Sequence, residues 1–246
     1  MRIHFLGTMG WFDSKLGNTL CVLVDTGNEY IIFDAGTGIY KIDTYIKDKR
    51  PIYLFLSHFH LDHIIGLHIL NKFSFSQGIK VFGPKGTEKM FKLVINSPYS
   101  KPINKLKTKI TASDLRKNSK FPFDIKFKEL LHTTVCYGYR LCSEGRVIAF
   151  CTDTGPCEGI KELAKGADVL ITESSLPPGI VDRGWPHLNP EQAAKIAKHA
   201  KVRKLALVHF DSGDYPKAGN IASAKKAAQK IFKNTLAARD GLCLKV

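Results

Sequence analysis

Between Ser57 and Gly66 the chain reads Ser-His-Phe-His-Leu-Asp-His-Ile-Ile-Gly, a dense run of groups able to ligate metal. It follows the apolar run Pro51–Leu56, which reads as a buried strand, and precedes an apolar-periodic segment, Ile64–Leu70, which reads as a helix. Open α/β sheets place their ligands at strand ends of this kind. His58 and His60 are two apart, so an extended backbone sends both rings to one side. Asp62 and His63 come where the chain turns into the helix and can face a second point nearby. The spacing therefore permits one ion on His58 and His60 and a neighbouring ion on Asp62 and His63. Imidazole with a carboxylate suits zinc best, with manganese or iron as admissible alternatives. The competing reading is a histidine-rich loop that only caps the strand.

The same arrangement recurs along the chain. Phe123–Leu131 alternates as a strand and delivers His132. Tyr137–Cys142 and Arg146–Cys151 pair across Ser143-Glu144-Gly145 and deliver Asp153. Lys204–Val208 delivers His209, and Ala167–Thr172 is topped by Glu173. Near the start, Ile3–Leu6, Leu20–Val24 and Tyr30–Phe33 form a β-meander that ends in Asp34-Ala-Gly-Thr-Gly38. Asp34 is placed to cap the helix expected over about Tyr40–Lys47. Further helices are expected over Gly86–Ile95, Gly159–Lys165 and Ile221–Phe232. Another starts with Asn189 as N-cap and Pro190 in the first turn and runs to about Ala200. Strands at Ile79–Phe82 and Leu242–Val246 complete the pattern. Asn96–Lys120 has no strong period and reads as loops around a short strand pair; its basic residues read as solvated surface or a phosphate-binding face. Each half is β-rich and then alternates with helices, which predicts an α/β fold, a four-layer αββα sandwich, in one domain spanning 1–246.

The chain has 246 residues, enough for a single substantial core. Its net charge of +15 favours polyanionic partners, nucleic acid first, although a generally lysine-rich surface gives the same number. No apolar run approaches membrane-spanning length, and Met1-Arg-Ile-His-Phe-Leu starts directly in strand-like alternation without a signal-peptide pattern. The six cysteines show no Cys-x-x-Cys pair and read as reduced, buried side chains. No membrane association is expected, and the cytoplasm is the expected compartment.

His-x-His-x-Asp-His after an apolar strand resembles the metal motif of the metallo-β-lactamase superfamily. The Gly-Thr-x-Gly, Gly-Asn-Thr-x-Cys and Asp-Ala-Gly-Thr-Gly segments are similar to its phosphodiesterase branch. Leu131-His132-Thr-Thr-Val-Cys-Tyr-Gly-Tyr-Arg and Cys151-Thr-Asp153-Thr-Gly-Pro resemble segments of ribonuclease Z and its relatives. So does Glu173 followed by Pro186-His187-Leu-Asn-Pro-Glu-Gln-Ala-Ala. The resemblance implies that His58, His60 and His132 hold one ion, that Asp62, His63 and His209 hold a second, and that Asp153 bridges them. It implies that Asp34 supports the histidine loop from behind the ligands. It also implies that Asp62, His187 and Glu173 are catalytic, His187 serving the leaving oxygen and Glu173 holding its ring. Two such ions activate water at neutral pH and neutralise charge on a phosphodiester. A homodimer is a further implication.

The resemblance departs at one place. Ribonuclease Z carries a long tRNA-gripping arm between the positions of His132 and Asp153, where this sequence holds only a tight strand pair. The expected activity is thus a phosphodiesterase with two zinc ions, acting on RNA or on small or cyclic phosphodiesters. Hydrolysis of a lactone, thioester or sulfate ester is the alternative; Ile64-Ile65-Gly66 stands against it, because those branches usually show a second glycine there. A non-enzymatic nucleic-acid binder is a third class, and the complete ligand set opposes it.

Overall fold

The computed structural model describes residues 1–181 and 184–246. Two large sheets carry the fold. The first has seven strands in the order Cys243–Lys245, Arg2–Gly7, Cys21–Asp25, Tyr30–Phe33, Ile52–Phe55, Ile79–Gly83 and Ile110–Asp114. The second has six: Thr235–Ala237, Lys204–Val208, Val169–Glu173, Arg146–Cys151, Cys136–Ser143 and Asp124–Leu130.

Several strands read as unbroken apolar runs because they are buried on both faces, and the period-two alternation divides each between two cores. Ile31, Phe33, Tyr53 and Phe55 meet Ile148, Phe150, Ile171 and Val208 between the sheets. The intervening Ile32 and Leu54 face outward onto Ile39, Leu67 and Phe91. On the other sheet Ala149, Leu170 and Leu205 face outward onto Ile160, Ala194 and Ala224. Three cores separate four layers, which is the αββα sandwich expected from the sequence. The layers are pinned beneath the histidine loop. Phe33 and Phe150 stack across the sheets at 4.8 Å, and the Tyr139 hydroxyl donates to the Leu56 carbonyl at 2.6 Å.

Asn189 caps the helix Pro190–His199 through a capping box with Gln192, and Pro190 stands in its first turn. The helix expected after Asp34 is a 3-10 turn, Thr37–Lys41, running into a short α-helix, Ile42–Tyr45, and the one expected after the histidine loop is mostly a 3-10 segment, Ile65–Lys72. The two 3-10 segments approach each other closely: a Cβ on Gly66 would stand 2.3 Å from the Gly36 carbonyl oxygen. Asn96–Lys120 contributes one strand, Ile110–Asp114, rather than a pair. All six cysteines are free, but only Cys21, Cys136 and Cys151 are buried as expected; Cys142 and Cys157 are half-buried, and Cys243 is exposed on the edge strand of the first sheet. Among the described residues no helix is long and apolar enough to cross a membrane.

Candidate metal centre

Every residue singled out at a strand end projects from the same edge of the sandwich. The Ile52–Phe55 strand feeds Ser57–His60, and the turn Leu61–Ile64 follows at once. Asp34, Asp153 and His209 follow their strands with φ of 58°, 54° and 52°. This left-handed backbone costs a non-glycine residue about 1–3 kcal/mol. It is the means by which each strand turns its last side chain sharply across the sheet edge. A two-residue parallel pairing of Met9–Gly10 with Phe210–Asp211 brings the first loop against His209. Gly10 is required there, since a Cβ would lie 2.5 Å from the His209 ring.

His58, His60, His132 and Asp153 form one group of converging ligand atoms, Asp62, His63 and His209 form another, and Asp153, His187 and His209 form a third that shares Asp153 with the first and His209 with the second. His132 Nε2 lies 3.2 Å from His60 Nδ1, and His58 Nε2 lies 3.7 Å from Asp153 Oδ2. In the second group His209 Nε2 is 3.1 Å from both His63 Nε2 and Asp62 Oδ2. Asp153 faces both: its Oδ1 lies 3.2 Å from His63 and 3.3 Å from His209, while Oδ2 faces His58 and His132.

Atoms behind the ligands set their tautomers. Asp34 accepts from Ser57 N–H and from the Ser57 hydroxyl, and its Oδ2 accepts from His63 Nδ1 at 2.8 Å. The Ser57 oxygen in turn accepts from His58 Nδ1 at 2.9 Å. His132 Nδ1 donates to the Pro186 carbonyl. These bonds leave Nε2 of His58 and His132 as lone pairs directed inward. The buried His58 Nε2 has no hydrogen-bond partner among the described residues. Converging imidazole nitrogens, together with two carboxylates, fit divalent cations. Asp34 therefore supports the histidine loop; it does not cap the following helix, whose N-cap is Gly36.

Burial, reinforced by neighbouring imidazoles, holds His58 well below the ordinary histidine value, and burial also lowers His60 and His132. For His63 and His209 burial pulls the same way, but Asp153, Asp62 and, for His63, Asp34 outweigh it and raise both. Burial would raise Asp62 and Asp153, yet the adjacent imidazoles hold both low.

Beside this centre His187 Nδ1 donates to both oxygens of the buried Glu173 at 2.9 Å. Glu173 also accepts from Leu188 N–H and Thr154 N–H, which fixes it on the loop leaving Asp153. Burial lowers the His187 pKa, but the Glu173 carboxylate, with Asp153 and Asp211 beyond it, lifts it to about 9. The structure adds Ser57, Gly10, Trp11 and Trp185 to the site, the first two from segments whose sequence pattern does not assign them a role. Ser57 stands inside the motif and could have been found there as the hydroxyl between a carboxylate and an imidazole; nothing in the sequence marks the tryptophans.

The sequence model of the beta-lactamase superfamily domain matches residues 22–210. Ribonuclease Z of Latilactobacillus sakei is 26% identical over 301 aligned positions, covering 98% of this chain and 96% of that protein. At least 55 of those positions (301 less 246) have no residue here. Among solved structures, the metallo-β-lactamase fold protein YhfI from Bacillus subtilis superposes with a TM-score of 0.83 at 21% identity, covering 99% of this chain and 98% of that one. The short form of human tRNase Z superposes with a TM-score of 0.77 at 22% identity, covering 100% and 99%.

Proposed function

This chain belongs to the beta-lactamase superfamily, in its ribonuclease-Z-like branch of metal-dependent ester hydrolases, and from that premise we propose a two-metal phosphodiesterase. The observation that carries the reading is Asp153, whose two carboxylate oxygens face two separate ligand groups. His58, His60 and His132 would hold one ion and Asp62, His63 and His209 the other, and the imidazole-rich set favours zinc. Bound there, two divalent ions would supply an activated water and neutralise charge on the phosphate oxygens.

The chain's own groups carry the protons. Asp62, whose side chain is 13% exposed against 3% for Asp153, is the carboxylate that water in the cleft can reach. It takes the proton of the attacking water as the new P–O bond forms. His187 is held protonated by Glu173 and gives its proton to the oxygen leaving on the far side, as that P–O bond breaks. A phosphodiester is the ester suited to this layout, because its transition state spreads negative charge over several oxygens.

The ribonuclease Z relatives make RNA one candidate substrate. The tight turn Ser143–Arg146 stands where a long arm is expected, and it favours substrates that need no such grip. Zinc-loaded protein should hydrolyse bis(p-nitrophenyl) phosphate, lose that activity to a chelator and regain it with zinc. Turnover of p-nitrophenyl acetate or a thioester, with the phosphodiester untouched, would overturn the reading in favour of carboxyl chemistry.

A further inference from the structure

Both tryptophans of the chain, Trp11 and Trp185, line one cleft of about 650 Å³ that opens over the ligand atoms. Trp185 belongs to the first ligand group: its ring stacks on His60 at 5.7 Å and meets His132 edge-on at 6.0 Å. Trp11 belongs to the second: its backbone N–H donates to Asp62 Oδ2 at 2.9 Å. Its φ of 67° is a conformation that bulky residues seldom adopt. The indole rests on Gly213, where a Cβ would come within 3.2 Å of its Cζ3, and Phe12 meets it edge-on at 5.0 Å. Yet Trp11 is 68% exposed and Trp185 48%. Aromatic surface of this size is ordinarily buried. Here both indoles keep about half or more of their surface exposed, one beside each ligand group.

Charge in the cleft narrows what they meet. Apart from the proposed ligands and His187, its charged lining is Asp211 and Asp214, and no Lys or Arg lines it among the described residues. One phosphate over two cations is accommodated, whereas a second phosphate beside Asp211 and Asp214 meets carboxylates. A cleft of this volume is that of a small-molecule site.

We propose that Trp11 and Trp185 are stacking platforms for the groups on either side of the scissile phosphate, so that the substrate class is a short nucleotide diester with one phosphate at the centre and a base on each indole. Stacking suits this role because every base has a π-face. The inference rests on the phosphodiesterase reading and specifies its substrate.

Intrinsic fluorescence reports on these residues directly, since no other tryptophan is present. Metal-loaded protein is titrated with a dinucleoside monophosphate bearing a methylene in place of one bridging oxygen, and with dimethyl phosphate. The dinucleotide should quench the emission and bind at least about tenfold tighter. That ratio should fall about tenfold in Trp11→Ala and in Trp185→Ala, each read by the remaining indole, and largely return in Trp11→Phe and Trp185→Phe. Equal binding of the two ligands, or a ratio unchanged in both alanine variants, overturns the platforms. A longer oligonucleotide that binds far more tightly, with a steep salt dependence, overturns the assignment to short diesters. If bis(p-nitrophenyl) phosphate is not hydrolysed while the tryptophan-dependent preference persists, the phosphodiesterase reading falls and the platforms stand. Turnover without the preference has the opposite meaning.

Discussion

His58, His60 and His132 meet as three imidazoles that burial keeps easily deprotonated, whereas on the other side of Asp153 the carboxylate of Asp62 joins two imidazoles raised by the acids around them. Both groups sit at strand ends of one sandwich edge, so the difference lies in what surrounds them. The first is backed by neutral partners, the Ser57 hydroxyl and the Pro186 carbonyl. The second is backed by Asp34 and faces Asp62 and Asp153. A cation entering the first group meets lone pairs already in place, while one entering the second displaces protons shared between imidazole and carboxylate. The two groups differ although one loop supplies two residues to each, because His58, His60, Asp62 and His63 straddle the turn from extended chain into helix.

Asp62→Ala should give the largest effect that separates the two groups. Turnover should fall to background while the ion on His58, His60 and His132 stays bound, as read by metal analysis alongside kinetics. Loss of both ions in that variant would erase the distinction. His187→Ala should slow turnover by about 10²–10⁴-fold with both ions retained, because it removes a proton donor and no ligand. The pH profile tests the same residue. Its protonated form is the active donor, so the rate should decline as pH rises through about 9. Glu173→Gln removes the charge that raises His187 and should move that limb down, toward or below the ordinary imidazole value of about 6.5. Asp34→Asn should have the smallest effect. It should weaken the ion on Asp62, His63 and His209 by about 10–100-fold and leave the other nearly unchanged, measured by competition with a chelator.

The sandwich was legible from sequence because its strands are buried on both faces and stand out as apolar runs between turns. The site's residues were legible for a related reason: Asp34, His132, Asp153, Glu173 and His209 each end such a run. The alternation of strand residues also carried the sidedness of His58 and His60. Three features lay beyond it. The 3-10 turns Thr37–Lys41 and Ile65–Lys72 meet through Gly36 and Gly66, a contact between residues distant in the chain. Asp34 had two local readings, and only the position of His63 across the fold separates them. Trp11 and Trp185 sit in loops without a period, so their shared cleft exists only in three dimensions.

The central claim is one carboxylate between two ions, and counting metal in Asp153→Ala tests it most directly. Wild-type protein saturated with zinc and passed through a desalting column should carry two ions per chain by plasma mass spectrometry, and the folded variant should carry one or none. Two ions retained in the variant, or only one in the wild type, would contradict the account.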